Sequence, residues 1–178
     1  MIISAPYRSG ATSLCLHLAE THQLKFAGQV DHNSVEWTRI EDKNLVHEHK
    51  NQPDHSVDQL VDIFCDHSQH VVLNNSMPAL IPASEYFIVR KDLAQSYYSL
   101  YLILNKIYPN INKFAVETTF KKMSWFNSIL MAYCKKSGIK PLILEEQPWY
   151  ISKSQYEIPK EFHDLIKMHV DFVKSFGE

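Results

Sequence analysis

The sequence predicts an α/β fold: a parallel sheet with helices on both faces, three layers in a single domain spanning residues 1–178. Three observations predict it. Short apolar runs alternate with stretches whose apolar residues recur at helical spacing. The first run, Met1-Ile2-Ile3, passes through a tight polar loop straight into a helical pattern. The 178 residues suffice for one substantial core, with no internal repeat, linker or low-complexity tract to divide them.

The elements follow in order. After the loop, Ala11, Leu14, Cys15 and Leu18 mark the first helix. Lys25 to Val30 forms a second strand, ending at Asp31. His32 to Lys43 is polar and has no clear pattern. Leu45-Val46, before His47-Glu48-His49, reads as a short strand or extended piece. Ser56-Val57-Asp58-Gln59 fits a capping box, followed by an apolar stripe through Val57, Leu60, Val61, Phe64 and Cys65. His70 to Leu73 and Tyr86 to Val89 read as strands. Asp92-Leu93-Ala94-Gln95 opens a helix whose inner face is Leu93, Tyr97, Leu100, Tyr101 and Leu104. A further helix carries Met123, Phe126, Leu130, Tyr133 and Cys134 and closes at Gly138. Pro141 to Leu144 is the last strand, and Phe162, Leu165, Ile166, His169 and Val173 mark the last helix. Ligands of such sheets sit at the C-terminal ends of the strands. Arg8, Asp31, His49, Asn74 and Arg90 all follow strand-like runs, so one rim is expected to gather them.

The loop is where chemistry is expected. Unpaired N–H groups and the positive end of the helix dipole stabilise an anion at a helix start. Ser4-Ala5-Pro6-Tyr7-Arg8-Ser9-Gly10-Ala11-Thr12 has the length of the phosphate-binding loop G-x-x-x-x-G-K-[ST], hence a P-loop-type fold. Its letters differ. Ala5 stands at the first glycine, Gly10 at the second, Ala11 at the lysine and Thr12 at the hydroxyl residue. Positive charge sits at Arg8 instead. This argues against an ordinary ATPase or kinase and for an anion-binding loop with another donor. Taken alone, an unliganded strand–turn–helix connection explains the loop equally well.

Composition excludes several classes. The formal net charge is -2, which does not support sequence-independent nucleic-acid binding. No apolar run approaches a membrane span, and no signal peptide is expected. Cys15, Cys65 and Cys134 are odd in number and lie on apolar helix faces, so buried free thiols and a cytoplasmic setting are expected. His47, His49 and His55 lack a matching ligand framework, so no metal is expected.

A second segment adds to the first. In Tyr86-Phe87-Ile88-Val89-Arg90-Lys91-Asp92-Leu93-Ala94-Gln95-Ser96-Tyr97-Tyr98, an arginine ends a strand and a serine sits early in the next helix. Arginine offers a planar fork for phosphate, and serine a short donor beside it. Alternatively, Arg90 pairs a nearby carboxylate such as Asp92.

Together the two segments resemble the sulfotransferase family. There a P-[KR]-S-G-[ST]-T loop binds the 5′-phosphosulfate of 3′-phosphoadenosine-5′-phosphosulfate (PAPS). A later strand ending in arginine, with a Ser-Tyr-Tyr run in the next helix, binds its 3′-phosphate. Arg8 to Thr12 matches the first motif, and Arg90 with Ser96-Tyr97-Tyr98 the second. Val71 to Pro78 and Leu142 to Glu146 resemble two further strands of the family. The resemblance implies PAPS as donor, bound by Arg8, Ser9, Gly10, Ala11, Thr12, Ser13, Arg90 and Ser96. It implies a small-molecule or glycan acceptor with a hydroxyl or amine, and no metal. Arg8 takes the role of the loop lysine and stabilises charge on the leaving phosphate. His49, in a segment resembling one that ends in Lys-Thr-His, and Asp31 are the two candidates for the base.

The chain departs from the family in four respects. Tyr7 separates Pro6 from Arg8, Ala11 replaces a hydroxyl residue, the Arg90-to-Ser96 spacing is shorter, and a basic, glycine-rich C-terminal segment is missing. Ala11, the shortened Arg90-to-Ser96 spacing and the small size of the chain favour the alternative of a degenerate, non-catalytic domain that binds a nucleotide or a protein. A P-loop small-molecule kinase is the weaker alternative, because it needs the missing lysine.

Overall fold

The computed structural model describes residues 2–22, 26–30, 35–41, 44–50, 70–74, 78–151 and 155–177. The protein is α/β. Among the described residues seven strands are present: β1 (Ile2–Ser4), β2 (Phe26–Val30), β3 (Val35–Glu41), β4 (Asn44–Lys50), β5 (His70–Asn74), β6 (Tyr86–Val89) and β7 (Leu142–Ile143). Among the described residues four α-helices accompany them: α1 (Ala11–His22), α2 (Leu93–Ile107), α3 (Lys113–Ser137) and α4 (Lys160–Gly177). The strands lie in the order β4-β3-β2-β5-β1-β6-β7.

Strands β2, β5, β1, β6 and β7 run parallel, with β1 in the middle. The expectation of a wholly parallel sheet needs correction at one end, where β2, β3 and β4 are antiparallel. The reason is connection length. Four residues separate β2 from β3 and two separate β3 from β4, whereas a parallel return needs a crossover of about a dozen or more. The polar segment that showed no pattern thus contains β3. The last strand is also shorter than expected, because the chain coils at Leu144–Glu146 into a 3-10 turn. The capping box at Ser56 and its apolar stripe lie outside the described residues.

Alternation along β6 sends neighbouring side chains to opposite faces. Tyr86 and Ile88 join Ile3 of β1 and Leu142 of β7 against Leu14, Cys15, Leu18 and Ala19 of α1. Phe87 and Val89 join Phe126, Leu130 and Cys134 of α3. A third cluster holds α2, α3 and α4 together through Tyr97, Leu100, Phe120, Met123 and Ile166. Polar contacts reinforce it: Tyr97 Oη and Ser124 Oγ lie 2.6 Å apart, Ser124 Oγ and His169 Nδ1 2.8 Å, and Ser124 Oγ donates to the Phe120 carbonyl at 2.9 Å. Cys15 and Cys134 are buried free thiols, and burial pushes both up from the ordinary cysteine range. Cys65 lies outside the described residues. Among those residues no helix is long and apolar enough to cross a membrane.

Two of the three expected helix signals fall among the described residues, and both act as read. Gly138 ends α3 in the left-handed region at φ 68°. Asp92 caps α2, its carboxylate accepting from Gln95 N at 3.3 Å. Replacing Asp92 with alanine is expected to cost about 1 kcal/mol. Urea denaturation checks this, and an unchanged midpoint would show that the cap contributes nothing.

Candidate functional site

The C-terminal ends of β5, β1, β6 and β7 form a common rim. Asn74 lies opposite Ser4, Ser4 opposite Phe87, and Val89 opposite Ile143. The six-residue loop Ala5–Gly10 rises from the middle of this rim and ends at α1. Two residues give it its shape. Arg8 is held at φ 61° and Gly10 at φ 80°, both in a region that L-residues enter at a cost. Ser9 is buried, and its backbone N–H and hydroxyl both donate to the Pro6 carbonyl, at 3.2 and 2.5 Å. Gly10 contributes its carbonyl to Leu14 N at 3.0 Å, so α1 begins here. The N–H groups of the first turn have no acceptor within the helix. Ala11 is buried beneath them, Thr12 is exposed and Ser13 is half-buried.

Gly10 is required by space as well as by φ. A Cβ there would be driven into the side chain of Leu144, which is itself buried. The turn after β7 therefore forms the floor of the loop.

Helix α2 holds Arg8 from the other side. Arg8 Nε donates to Ser99 Oγ at 3.0 Å, and Ser96 Oγ donates to the Arg8 carbonyl at 3.4 Å. The bound Nε leaves the two terminal nitrogens of the fork for other acceptors. Burial lowers the Arg8 pKa; Tyr156 opposes it, the positive charge of Arg90 lowers it by less than Tyr156 raises it, and Tyr150 opposes it least. Arg8 as a whole residue remains exposed. Among the described residues no carboxylate pairs with it.

Arg90, expected as a phosphate donor, has an internal partner. Its Nε donates to Glu145 Oε1 at 3.0 Å, and the Lys91 N–H donates to Glu145 Oε2 at 2.8 Å. The pair is partly exposed, with 17% of the Arg90 and 25% of the Glu145 side chain accessible. Burial pushes the Glu145 carboxyl up, but the bonds from Lys91 N and Arg90 outweigh it and hold it below the usual range. The carboxylate alternative for Arg90 is therefore realised, through Glu145 rather than Asp92, which is used in capping.

Arg8, Ser9, Gly10, Ala11, Thr12, Ser13, Arg90 and Ser96 thus share one region. Ser96 is buried at 1% accessibility and turned into the loop, so it positions Arg8 instead of offering a free donor. Of the two candidate bases, only His49 is among the described residues. Asp31 lies outside the described residues. His49 sits in β4 opposite Glu36, with β3, β2 and β5 between β4 and β1. At about 4.8 Å per strand that is roughly 19 Å across the sheet. His49 does end at the same edge of the sheet, since Lys50 is level with Ser4 through the ladder, but the two short connections carry it four strands away from β1, so it does not reach the loop.

Ser99 and Glu145 were not legible as site residues. Ser99 lies one helical turn beyond Ser96, the spacing that places two hydroxyls on one face. Glu145 follows a strand that pairs with the Arg90 strand, a relation visible only once strand order is known. Around the site, Gln95 exchanges two hydrogen bonds with the Tyr156 backbone, at 2.9 and 2.8 Å, and so fixes the segment that approaches Arg8. Among the described residues no cluster of three or more histidine, cysteine or acidic side chains is arranged to hold a metal ion. Comparison with protein-family models, with curated proteins and with solved structures gives no match to this chain.

Proposed function

We propose that the chain is a short, three-layer, P-loop-type domain resembling sulfotransferases, which takes PAPS as donor and transfers its sulfuryl group to a hydroxyl or amine of a small-molecule or glycan acceptor. One observation carries the reading. Arg8, without a carboxylate partner among the described residues, lies in the loop after the central strand β1, next to the first turn of α1, and Arg90 follows the adjacent strand β6. Two near cations and a helix start favour a polyanionic ligand. The packing of α1 and α3 against alternate residues of β6 supports the layered arrangement.

The loop residues fit the phosphosulfate end of such a donor. Bound PAPS supplies an activated sulfuryl group whose transfer leaves negative charge on a phosphate oxygen. Arg8 stabilises that charge by hydrogen bonding and electrostatics, since a guanidinium does not give up its proton. Ser99 and Ser96 hold Arg8 in place, so the cation needs no reorganisation when charge develops. Thr12 and the first-turn N–H groups complete the cradle. The β6 end offers Arg90 and the Lys91 N–H to a second phosphate, both engaged by Glu145.

The second reading, a degenerate domain that binds a nucleotide or a protein without turnover, is favoured by a different observation. Ser96 is tied to the loop, Arg90 to Glu145, and no base candidate stands within the described site.

Calorimetric titration with 3′-phosphoadenosine-5′-phosphate, beside ADP, tests the donor site. Tight binding of the bisphosphate, weaker binding of ADP and weakening by Arg90→Ala are expected. Equal or absent binding of the two nucleotides would overturn the assigned donor. Product formation from PAPS across an acceptor panel then separates the enzyme from the non-catalytic domain.

A further inference from the structure

The Glu145 contact has the form of a bound anion. Its two carboxylate oxygens take one N–H from the Arg90 guanidinium and one from the Lys91 backbone, at 3.0 and 2.8 Å. A side-chain fork beside a main-chain N–H at the end of a strand is a donor set suited to phosphate oxygens. The carboxylate arrives from the turn after β7, directly behind Leu144, whose side chain closes against Gly10. One short turn therefore touches both halves of the rim.

We infer that Glu145 is a resident counter-ion in the second-phosphate subsite, which a ligand's extra phosphate must displace, and that it thereby sets how strongly the site distinguishes a bisphosphate from a monophosphate. The inference rests on the reading that the β6 end receives that phosphate. Charge explains why a counter-ion is useful. Arg8 and Arg90 are close enough for one to disfavour the charge of the other, and the carboxylate relieves that repulsion. Exposure explains why it can leave. A partly solvated ion pair is weakly held, and a phosphate brings more charge and more acceptor oxygens to the same two donors. Glu146, the next residue, lies 4.0 Å from Lys91 Nζ with both side chains largely exposed, so it does not share the role.

The test titrates wild-type protein, Glu145→Gln, Glu145→Ala and Glu146→Gln with 3′-phosphoadenosine-5′-phosphate and with adenosine 5′-monophosphate. Thermal melting of each variant checks that it is folded. Both Glu145 variants should bind the bisphosphate about tenfold more tightly, within the usual range for coupled charges. The monophosphate should bind all four proteins alike, and Glu146→Gln should behave as wild type. Unchanged or weaker bisphosphate binding in the Glu145 variants overturns the inference while the donor assignment stands. An equal gain for both nucleotides also overturns it, since that is a general field effect. If the bisphosphate binds none of the four, the donor assignment itself falls and the inference with it.

Discussion

Gly10→Ala is expected to destabilise the protein by roughly 2–4 kcal/mol, the sum of two separate penalties. The first is conformational: at φ 80° an L-residue brings its Cβ too close to its own carbonyl. The second is steric: the new Cβ meets Leu144, which at 1% accessibility has no solvent-filled space to swing into. Gly138→Ala supplies the comparison. That glycine has φ 68° but nothing within 4 Å of its added Cβ, so it bears the conformational penalty alone. Urea unfolding of both variants separates the terms, and a Gly10→Ala loss no greater than the Gly138→Ala loss would show that Leu144 gives way. Displacement of Leu144 also moves the Glu145 backbone, so nucleotide binding should change along with stability.

Arg8→Gly is expected to weaken binding of 3′-phosphoadenosine-5′-phosphate by about a hundredfold, in line with loss of a charged hydrogen-bonding partner from a preorganised site. Stability should stay within about 1 kcal/mol of wild type, because two effects oppose each other. The Nε bond to Ser99 is lost, but glycine adopts φ 61° without strain. The Ser96 bond to the residue 8 carbonyl is retained, since it needs no side chain there. Arg8→Lys should recover little of the binding, because a lysine cannot hold Ser99 and present a planar fork together. Calorimetry and urea denaturation read the two quantities independently. Wild-type affinity in Arg8→Gly would remove Arg8 from the site. A large stability loss without a binding defect would make it a structural bracket.

Much of the architecture was legible because local signals and burial agree. The β6 run, the Asp92 cap, the Gly138 stop and the inner faces of α2, α3 and α4 all follow from periodicity and capping chemistry that act within one turn or strand. The strand–loop–helix at Arg8 was equally readable. What escaped the sequence depends on pairing between distant segments. The antiparallel turn of β2 into β3 and β4 lies in a polar stretch without clean alternation, and only the short connections betray it. The placement of His49 on the outer edge follows from that turn. That Arg90 pairs a carboxylate is legible, but which one is not: Asp92 is near in sequence, whereas Glu145 is near across the β6–β7 pair. Ser96 was recognised as a site residue, but its direction into the loop is set by the fit of α2 against Arg8.

Ser124 has a consequence for how the helices stay in step. A hydroxyl carries one proton and accepts two more. With that proton donated to the Phe120 carbonyl, Ser124 Oγ accepts from Tyr97 and from His169 in its Nδ1–H form. Three helices meet at a single oxygen, and apolar side chains alone would let them slide past one another by a turn with little change in buried area. Any such slip would leave a phenol, a hydroxyl and an imidazole dry and unpaired at once, a cost that oily contacts cannot offset. The alignment of the helical layer is therefore written in proton count as much as in shape.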